Sequence, residues 1–448
     1  MTYSEYWNPK NETLPREELQ ALQLLKLRRL CEWAYATTPF HQRKFDAAGF
    51  KAEQLKTLDD IRRIPIMTRE EWMESIMEKP MFGDLLATDV TNAVRYHLTS
   101  GTSGRTPIRV LDSMKDWDWI SEMWCYGLWG FGVRPEDTVY FAFGYGSFIG
   151  FWGAHYCCEK IGALVIPGGA QTTEGRVKQI VEMGATTLCS TPTYALTLWQ
   201  KAREMGIDLA KDSKVNKLIC SGEPAGSIPA VKRQLEETWG AKCGDTAGMT
   251  EVGTIMIFEC SHQPGGTHII EDHFIEEALR PDSDEPVGYG ELGERVVTSF
   301  GRGFIPAIRY RSKDMVMKVP ASTCTCGRTW DIYDGGIRGR WDDMKLIRGT
   351  NVYPRAVEAI IREYVAVDEF QIYIWRKEEL LDEITIKLEM TPGYEAHWPD
   401  LQQKLAKDLA EAHEGLRFNI ERVNYGTLPR FELKAKRLVD ARPVAAYA

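Results

Sequence analysis

The chain has 448 residues, of which 44% are hydrophobic and 27% charged, and its formal net charge is −9. This composition is typical of a globular protein, and the length exceeds what one hydrophobic core usually supports, so we expect two or three domains. The negative charge argues against a broad nucleic-acid-binding surface and leaves room only for a local anion site.

The first residues show no basic stretch followed by an apolar core, so we expect no secretory signal there. No apolar run in the sequence is long enough to span a bilayer. Several of the ten cysteines lie in apolar, strand-like segments such as 188–190, which is typical of reduced thiols. We therefore expect a cytoplasmic protein without a membrane or nucleic-acid partner.

Residues 16–36 are predicted to form an amphipathic helix, because Leu19, Leu22, Leu27 and Leu30 fall on one side of a helical wheel. From about residue 137, short apolar segments alternate with helical ones. The predicted strands are 139–143, 163–166, 186–190, 217–220 and 242–246, and the helices between them include 176–183, 194–205 and 229–239. This alternation predicts an α/β fold with parallel sheets and crossover helices, in which ligands bind at the carboxyl ends of the strands.

After about residue 341 the pattern changes. The predicted elements are a helix over 354–364, strands over 369–375 and 383–389, a helix with Leu401, Leu405 and Leu409 on one face, and a strand over 418–423. They describe a separate α+β unit of about 105 residues, which is enough for a small domain. We therefore expect a large N-terminal region over 1–341 and a small C-terminal domain over 342–448.

Segment 99–104, called the hydroxyl-rich loop below, places four hydroxyl side chains and two glycines in six residues. Glycine lets the backbone approach a ligand and aim its N–H groups at one point, and hydroxyls add donors, which suits the phosphates of a nucleotide. It is not the common P-loop, since G-x-x-x-x-G-K-[ST] is absent from the sequence. Alone, such a run is typical of a flexible loop, so its interpretation depends on the motifs that follow.

Three later segments contain residues that could bind a ligand or form a hinge. Asp245 and Glu251 bracket a run of small residues after a predicted strand, which suits a magnesium ion on nucleotide phosphates, or else an ordinary turn with Thr250 as a helix cap. Segment 309–314 holds three cations beside Asp314, as on a solvated edge or around an acid that binds a ribose diol. Segment 339–349 lies at the predicted domain boundary, where a hinge is expected.

The basic segment 429–437 could deliver a lysine to a phosphate, although a solvated basic tail gives the same pattern. Taken together, in this order and spacing over residues 95–437, these motifs resemble the adenylate-forming superfamily of acyl-CoA synthetases, and most closely the phenylacetate–CoA ligase family. Further agreement is found at 144–146 with 153–156, 190–194, 222–224, 271–274 and 348–354. The resemblance implies that ATP and a carboxylate give an acyl-adenylate and pyrophosphate, and that the CoA thiolate then displaces AMP. It also implies Mg²⁺ and a homodimer.

The resemblance assigns roles to single residues. Segment 100–104 would cradle the β- and γ-phosphates, and Glu251 would hold Mg²⁺. Asp314 would bind the ribose hydroxyls with Arg340 nearby, and Glu223 and Pro224 would line the adenine site. The whole nucleotide-binding set is Ser100, Gly101, Thr102, Ser103, Gly104, Glu223, Pro224, Asp245, Thr246, Ala247, Thr250, Asp314 and Arg340.

The resemblance also implies a moving C-terminal lid. Lys434 would stabilise charge on the carboxylate and α-phosphate during adenylation, with Lys436 as the alternative for this role. Asp342 would be the pivot about which the C-terminal domain rotates, and this rotation would bring the Gly349 loop to the pantetheine tunnel.

The acyl pocket is assigned to Tyr145, Phe148, Phe151, Gly222 and Gly248. The three aromatic rings would offer their faces to a ring-bearing substrate, although they could equally be core residues. Segment 144–150 reads G-x-G-x-x-x-G, which is not the spacing of a dinucleotide-binding loop.

Cys324 and Cys326 form a C-x-C-G knuckle, and Cys260 and His268 lie in a second segment. These four residues are a plausible tetrahedral zinc set, which some members of the family carry, and His262 could replace His268. Unliganded reduced thiols are the alternative.

We therefore expect an ATP- and magnesium-dependent aryl or arylacetic acid–CoA ligase, whose aromatic segment 141–156 fits a flat substrate. One rival is a stand-alone adenylating enzyme that passes the acyl group to a carrier protein or an amine. Another is a nucleotide-binding regulatory protein without turnover. Two departures from the family pattern favour that last rival: Ala247 replaces a tyrosine that stacks on adenine, and Leu433 replaces a glycine before the lysine.

Overall fold

The structure of the protein is a computed structural model that describes residues 3–99, 107–223, 228–262, 265–348, 350–377, 381–431 and 435–442. Most of the helices lie in the first 240 residues, between or before the strands of the parallel sheet. The α-helices of the described residues are α1 (Pro9–Glu12), α2 (Arg16–Thr37), α3 (Pro39–Ala48), α4 (Arg69–Glu78), α5 (Met114–Gly130), α6 (Gly150–Ile161), α7 (Thr173–Glu182), α8 (Pro192–Glu204), α9 (Leu209–Asp212), α10 (Pro229–Trp239), α11 (Pro354–Arg362) and α12 (Trp398–Ala412). Short 3₁₀-helices cover Ala52–Gln54, Leu58–Arg63, Val90–Asn92, Ala321–Thr323, Trp341–Asp343 and Glu395–His397.

Within the described ranges, the strands form one large sheet, one small sheet and two hairpins. They are β1 (Arg95–Leu98), β2 (Arg109–Asp112), β3 (Thr138–Phe141), β4 (Leu164–Pro167), β5 (Thr187–Ser190), β6 (Lys217–Cys220), β7 (Lys242–Gly248), β8 (Ile255–Phe258), β9 (Gly266–Ile269), β10 (Phe274–Leu279), β11 (Leu292–Ser299), β12 (Tyr310–Val319), β13 (Ile332–Asp334), β14 (Lys345–Ile347), β15 (Thr350–Val352), β16 (Val367–Lys377), β17 (Leu381–Met390), β18 (Asn419–Arg422) and β19 (Leu438–Asp440). Strands β1 and β2 form one hairpin, and β14 and β15 form the other.

The large sheet has eleven strands in the order β4-β3-β5-β6-β7-β8-β9-β13-β12-β11-β10. Strands β3 to β7 pair in parallel, so the predicted parallel sheet with crossover helices is confirmed. The second half, from β8 to β10, is antiparallel. This half was not predicted, because its strands are joined by turns and loops and lack the strand–helix alternation.

The C-terminal elements build their own four-stranded sheet, in the order β18-β17-β16-β19. Its core uses residues between Ile347 and Ile420, and it includes the buried Leu401, Leu405 and Leu409 of α12. The predicted helices and strands of this region are therefore confirmed. The division into domains at 341/342 stays a prediction.

Among the described residues, no helix is both long enough and apolar enough to cross a bilayer.

Candidate active site

The predicted nucleotide-binding residues follow neighbouring parallel strands. Gly222 and Glu223 come after β6, and Asp245, Thr246 and Ala247 end β7. Because β6 and β7 are parallel, these ends meet at one edge of the sheet, which is where ligands bind in α/β folds. Eight predicted site residues lie outside the described residues: Ser100, Gly101, Thr102, Ser103, Gly104, Pro224, Gly349 and Lys434.

The turn after β7 carries Thr250 and Glu251. A Cβ atom on Gly248 would lie 2.7 Å from the carbonyl oxygen of Thr254, so only glycine allows this close approach of the two chain segments. The Glu251 carboxylate lies 3.3 Å from the guanidinium of Arg69 at the start of α4. No sequence motif points to Arg69, because it lies 182 positions from Glu251 and the two meet only through tertiary contact.

Asp314 lies where the pairing of β11 with β12 is irregular. The register shifts between Glu294 and Val296, and Lys313 has a φ of 65°. A β-bulge re-aims side chains in this way, and such positions are common beside active sites. The backbone N–H of Asp314 donates to the hydroxyl of Ser312 at 3.1 Å, which helps to fix the bulge.

Two arginines flank the Asp314 carboxylate. Arg295 and Arg340 each place a guanidinium nitrogen 3.7 Å from it. The guanidinium of Arg340 also donates two hydrogen bonds, of 2.8 and 3.0 Å, to the carboxylate of the predicted pivot Asp342. Burial works to lower the pKa of Arg340, but Asp342 and Asp314 outweigh it and raise the pKa. The guanidinium therefore stays charged and joins the predicted ribose ligand to the predicted hinge.

A buried tyrosine connects this cluster with Glu251. Burial raises the pKa of Tyr310, the charge of Glu251 raises it further, and Arg69 and Arg340 lower it. All three charged groups therefore lie within electrostatic reach of one phenol. Glu251 and Arg340, which itself contacts Asp314, are therefore neighbours of the same phenol.

Glu223 connects the sheet edge with the C-terminal region. Its carboxylate accepts hydrogen bonds from the backbone N–H groups of Thr193, at 2.7 Å, and of Ala435, at 3.3 Å. Arg437 donates to the hydroxyl of Thr193 at 3.3 Å. Burial raises the pKa of Glu223, while Arg437 opposes the shift. The chain next to Lys434 therefore reaches the site in this structure.

The other predicted nucleotide-binding residues also have partners in the structure. Thr246 donates its hydroxyl to the carbonyl of Cys220 at 3.0 Å, and Ala247 is half-buried opposite Ile257. Asp245 lies near Arg355 of α11. Burial lowers the pKa of Arg355 to about 10, and the charge of Asp245 opposes this shift.

The predicted acyl-pocket aromatics differ in burial. Tyr145 is half-buried, and its ring centroid lies 4.6 Å from that of Trp152 and 4.7 Å from that of Phe143. The Tyr145 hydroxyl pairs with Nδ1 of His155 at 2.9 Å. Phe148 is half-buried, whereas Phe151 is 4% exposed and packs in the core, with its ring centroid 4.5 Å from that of Phe143.

The predicted zinc ligands converge. The ligand atoms of Cys260, His268, Cys324 and Cys326 lie within 4.8 Å of one another, and all four residues are buried. Nδ1 of His268 lies 3.2 Å from the carbonyl of Trp330, which leaves Nε2 facing Cys326 at 3.3 Å. Cys260 and His268 lower the pKa of the Cys326 thiol, which favours the thiolate form that binds metal. His262 is outside this group and lies 3.6 Å from Glu5.

The profile of the AMP-binding enzyme C-terminal domain matches residues 349–442. The phenylacetate-coenzyme A ligase of Thermus thermophilus is 34% identical over 420 residues, which cover 93% of this chain and 91% of that protein.

A solved structure of 2-hydroxyisobutyryl-CoA ligase in the postadenylation state, in complex with 2-HIB-AMP, is 30% identical and superposes with a TM-score of 0.92 over 98% of this chain and 93% of that chain. The same ligase in the thioesterification state, with 2-HIB-AMP and CoA, is 31% identical over the same shares and superposes with a TM-score of 0.74. The sequence identity over nearly the full length shows that the chain belongs to the phenylacetate–CoA ligase family.

Proposed function

We propose that the protein is an ATP- and magnesium-dependent aryl or arylacetic acid–CoA ligase. As a member of its family it is an ATP-dependent acyl-CoA ligase that acts through an acyl-adenylate. We further propose which class of acid it takes as substrate and which residues act in each step. One observation supports it most directly: the N–H of Ala435, next to Lys434, donates to Glu223 after β6, beside the end of the parallel strand β7 that carries Asp245.

In the first half-reaction, a carboxylate oxygen of the acid attacks the α-phosphorus of ATP. An acyl–phosphate bond forms, and the bond to pyrophosphate breaks. Lys434 would place its ammonium beside the charge that develops on the α-phosphate, which is electrostatic catalysis. Its neighbour Ala435 is held by Glu223, which supports this placement. Mg²⁺, held by Glu251, would neutralise charge on the departing phosphates.

In the second half-reaction, the CoA thiolate attacks the acyl carbonyl carbon, and the bond to AMP breaks. The C-terminal domain would rotate about Asp342, removing Lys434 and bringing the Gly349 loop to the pantetheine tunnel. The higher TM-score with the postadenylation state, 0.92 against 0.74, supports an arrangement suited to the first half-reaction. Arg340 would hold Asp342 through its two hydrogen bonds until the rotation occurs.

The half-buried rings of Tyr145 and Phe148, with Trp152 beside Tyr145, support an aromatic acid. The buried Phe151 would shape this wall from behind. The match to a ligase of 2-hydroxyisobutyrate makes a small hydroxy acid the comparison to include in any test.

Zinc would be held by Cys260, His268, Cys324 and Cys326, because three thiols and one imidazole at this spacing suit a tetrahedral structural site. Its ligands tie β9 to the knuckle before β13, which would stiffen the antiparallel half of the sheet. We also propose a homodimer, on family resemblance, which light scattering after size exclusion would test. The ten unbridged cysteines support a cytoplasmic location.

The decisive experiment mixes the purified protein with ATP, Mg²⁺ and CoA and a panel of benzoate, phenylacetate, bicyclic aryl acids and 2-hydroxyisobutyrate. Product masses are then measured. Aryl-CoA with equimolar AMP supports the proposal, and turnover of 2-hydroxyisobutyrate alone would overturn the aromatic assignment. Acyl-adenylate without thioester would favour transfer to a carrier protein or an amine.

A further inference from the structure

The C-terminal region contacts the large sheet beside the ends of β5 and β6. Thr193 lies in the first turn of α8, shortly after β5, and Glu223 follows β6. Because β5 and β6 pair in parallel, both residues lie at the carboxyl edge of the sheet, where ligands bind in α/β folds. The backbone N–H of Thr193 donates to Oε1 of Glu223 at 2.7 Å, which fixes the two residues relative to each other.

Arg437 reaches this pair from the C-terminal region. Its Nη2 donates to the hydroxyl of Thr193 at 3.3 Å, and each of these two residues is only 8% exposed. The N–H of Ala435 donates to Oε2 of Glu223 at 3.3 Å. The charge of Arg437 also works against the burial that raises the pKa of Glu223, so the guanidinium lies within electrostatic reach of that carboxylate. Segment 435–437 therefore contacts Thr193 and Glu223 together.

The guanidinium of Arg437 is oriented by its own region. Nε and Nη2 donate to the two carboxylate oxygens of Glu369 in β16 at 2.6 and 3.1 Å, and Nη1 donates to Glu358 of α11 at 3.0 Å. The carbonyl of Arg437 accepts from the N–H of Ile372 at 2.7 Å. This two-pronged geometry, with a third nitrogen left for another partner, requires the planar fork of an arginine.

The division of partners makes the contact reversible. A buried charge that loses its partner is costly, so a contact that left Arg437 without a carboxylate would open only rarely. Here both carboxylate partners, Glu369 and Glu358, belong to the same region as Arg437 and would move with it. Undocking would break the hydrogen bonds to Thr193 and Glu223 and leave the ion pairs intact.

We propose that Arg437 is a positioning residue that holds the C-terminal region against the carboxyl edge of the sheet, through Thr193 and Glu223, in the arrangement that serves adenylation. These three residues are called the latch. The inference rests on the proposed function, in which this region serves the two half-reactions from two positions. The higher TM-score with the postadenylation state supports assigning the latch to the first position. Thioester formation then requires the latch to open.

The test measures the two half-reactions separately in Arg437→Lys and in Thr193→Val, with phenylacetate or benzoate as the acid. A lysine at 437 keeps the charge but cannot reach Glu369, Glu358 and Thr193 together. Valine at 193 replaces the hydroxyl by a methyl group and leaves the N–H that Glu223 accepts. The rate of acyl-adenylate formation should fall about tenfold in each variant, because a hydrogen bond to a charged group is lost. Thioester formation from supplied acyl-adenylate and CoA should stay within about twofold or become faster.

The double variant tests whether the two residues act through one contact. Its adenylation rate should be about that of Arg437→Lys alone, because both changes break the same hydrogen bond. Losses that multiply would show that Arg437 and Thr193 act independently and would overturn the latch.

Arg442→Lys and Thr197→Val are the matched controls. Arg442 also forms a two-pronged pair, with Asp440 at 2.8 and 2.7 Å, but its hydrogen bonds within the described part of the chain stay inside the C-terminal region. Thr197 lies one turn further along α8 and donates its hydroxyl to the carbonyl of Thr193 at 3.1 Å. Both controls should keep the wild-type ratio of the two rates. The same fall in that ratio in either control, or equal losses of both half-reactions in the latch variants, would reduce Arg437 to a structural residue.

Lys434→Ala separates this inference from the proposed function. If Lys434→Ala loses adenylation and neither latch variant does, the latch alone is wrong. If all three variants keep the wild-type rate of adenylation, the proposed use of the C-terminal region in that step is wrong as well.

Discussion

The N-terminal and C-terminal regions are held together by different kinds of contact. Inside the N-terminal region, Arg302–Asp112 and Arg295–Glu276 are fully buried ion pairs. Between the regions, the described contacts include single hydrogen bonds, such as Ala435 to Glu223 at 3.3 Å and Arg355 to the carbonyl of Gly335 at 3.2 Å, and exposed ion pairs, such as Arg233–Glu363.

The difference in burial decides which contacts can break during turnover. Breaking a buried pair costs about 3–5 kcal/mol, whereas an exposed pair contributes about 0–1 kcal/mol. Each region also has its own apolar core. If the C-terminal region rotates as proposed, its contacts with the N-terminal region are the ones that must break, and the buried ion pairs inside the N-terminal region can stay intact.

The largest expected effect is that of Lys434→Ala. If Lys434 serves adenylation, the variant should lose about 100- to 1000-fold in acyl-adenylate formation, since it removes one charge that stabilises the transition state. Thioester formation from supplied acyl-adenylate should survive. Lys436→Ala is the matched control, and a larger loss there would move the role to Lys436. Equal loss of both half-reactions would contradict the role of either lysine.

Asp342→Pro should impair the second half-reaction about tenfold or more, because proline fixes φ where the chain must rotate. Adenylation should be spared. Asp342→Ala removes the same hydrogen bonds to Arg340 without restricting the backbone, so it isolates the contribution of rotation. Stopped-flow measurement of each half-reaction checks this. Loss of adenylation in the proline variant alone would show that 342 is not a pivot.

Zinc should stabilise the N-terminal region, which contains its proposed ligands, rather than the C-terminal region. Cys326→Ser should remove about one equivalent of zinc by elemental analysis and lower Tm by about 5 °C or more, because one of four ligands is lost. Cys31→Ser, at a buried cysteine outside the metal cluster, should keep the zinc. Wild-type protein purified without chelators and free of zinc would overturn the assignment.

The smallest expected effect is a change in how the free energy of unfolding depends on pH. Burial lowers the pKa of His97 to about 4, from 6.5. The unfolded chain then binds a proton between these values and the folded chain does not, so stability present above pH 6.5 is lost as the pH falls towards 4. His97→Phe should remove roughly 3 kcal/mol of this loss, because phenylalanine keeps the stacking on Trp117 without the proton. Urea unfolding at pH 7 and pH 4.5 measures it, and identical pH slopes would contradict the prediction.

Local pattern predicted the parallel half of the sheet closely. The predicted strand 217–220 and helix 229–239 match β6 and α10 residue for residue. Both stand out because strand and helix periods alternate and because Gly240 ends the helix in a left-handed conformation. The antiparallel half escaped prediction, since antiparallel strands joined by irregular turns lack that alternation.

In the candidate active site, too, residues with a local sequence signal were predicted and residues placed only by tertiary contacts were not. Glu251 and Asp314 were predicted because family-like motifs surround them in the sequence. Arg69 and Arg302, which contact Glu251 and its turn, had no such motif and were missed. Their contacts come from strands and helices that the fold brings together, and a single sequence carries no record of those distances.

The amino-acid sequence by itself determined the family, the order of the elements and the residue types that can bind phosphate, ribose and metal, because periodicity and motif chemistry are local. Only the tertiary structure decided that the buried Arg302 guanidinium contacts both Asp112 and the carbonyl of Thr250, and that three cysteines and a histidine meet. Buried polar groups must find partners, and which partners are within reach depends on packing between segments far apart in the chain.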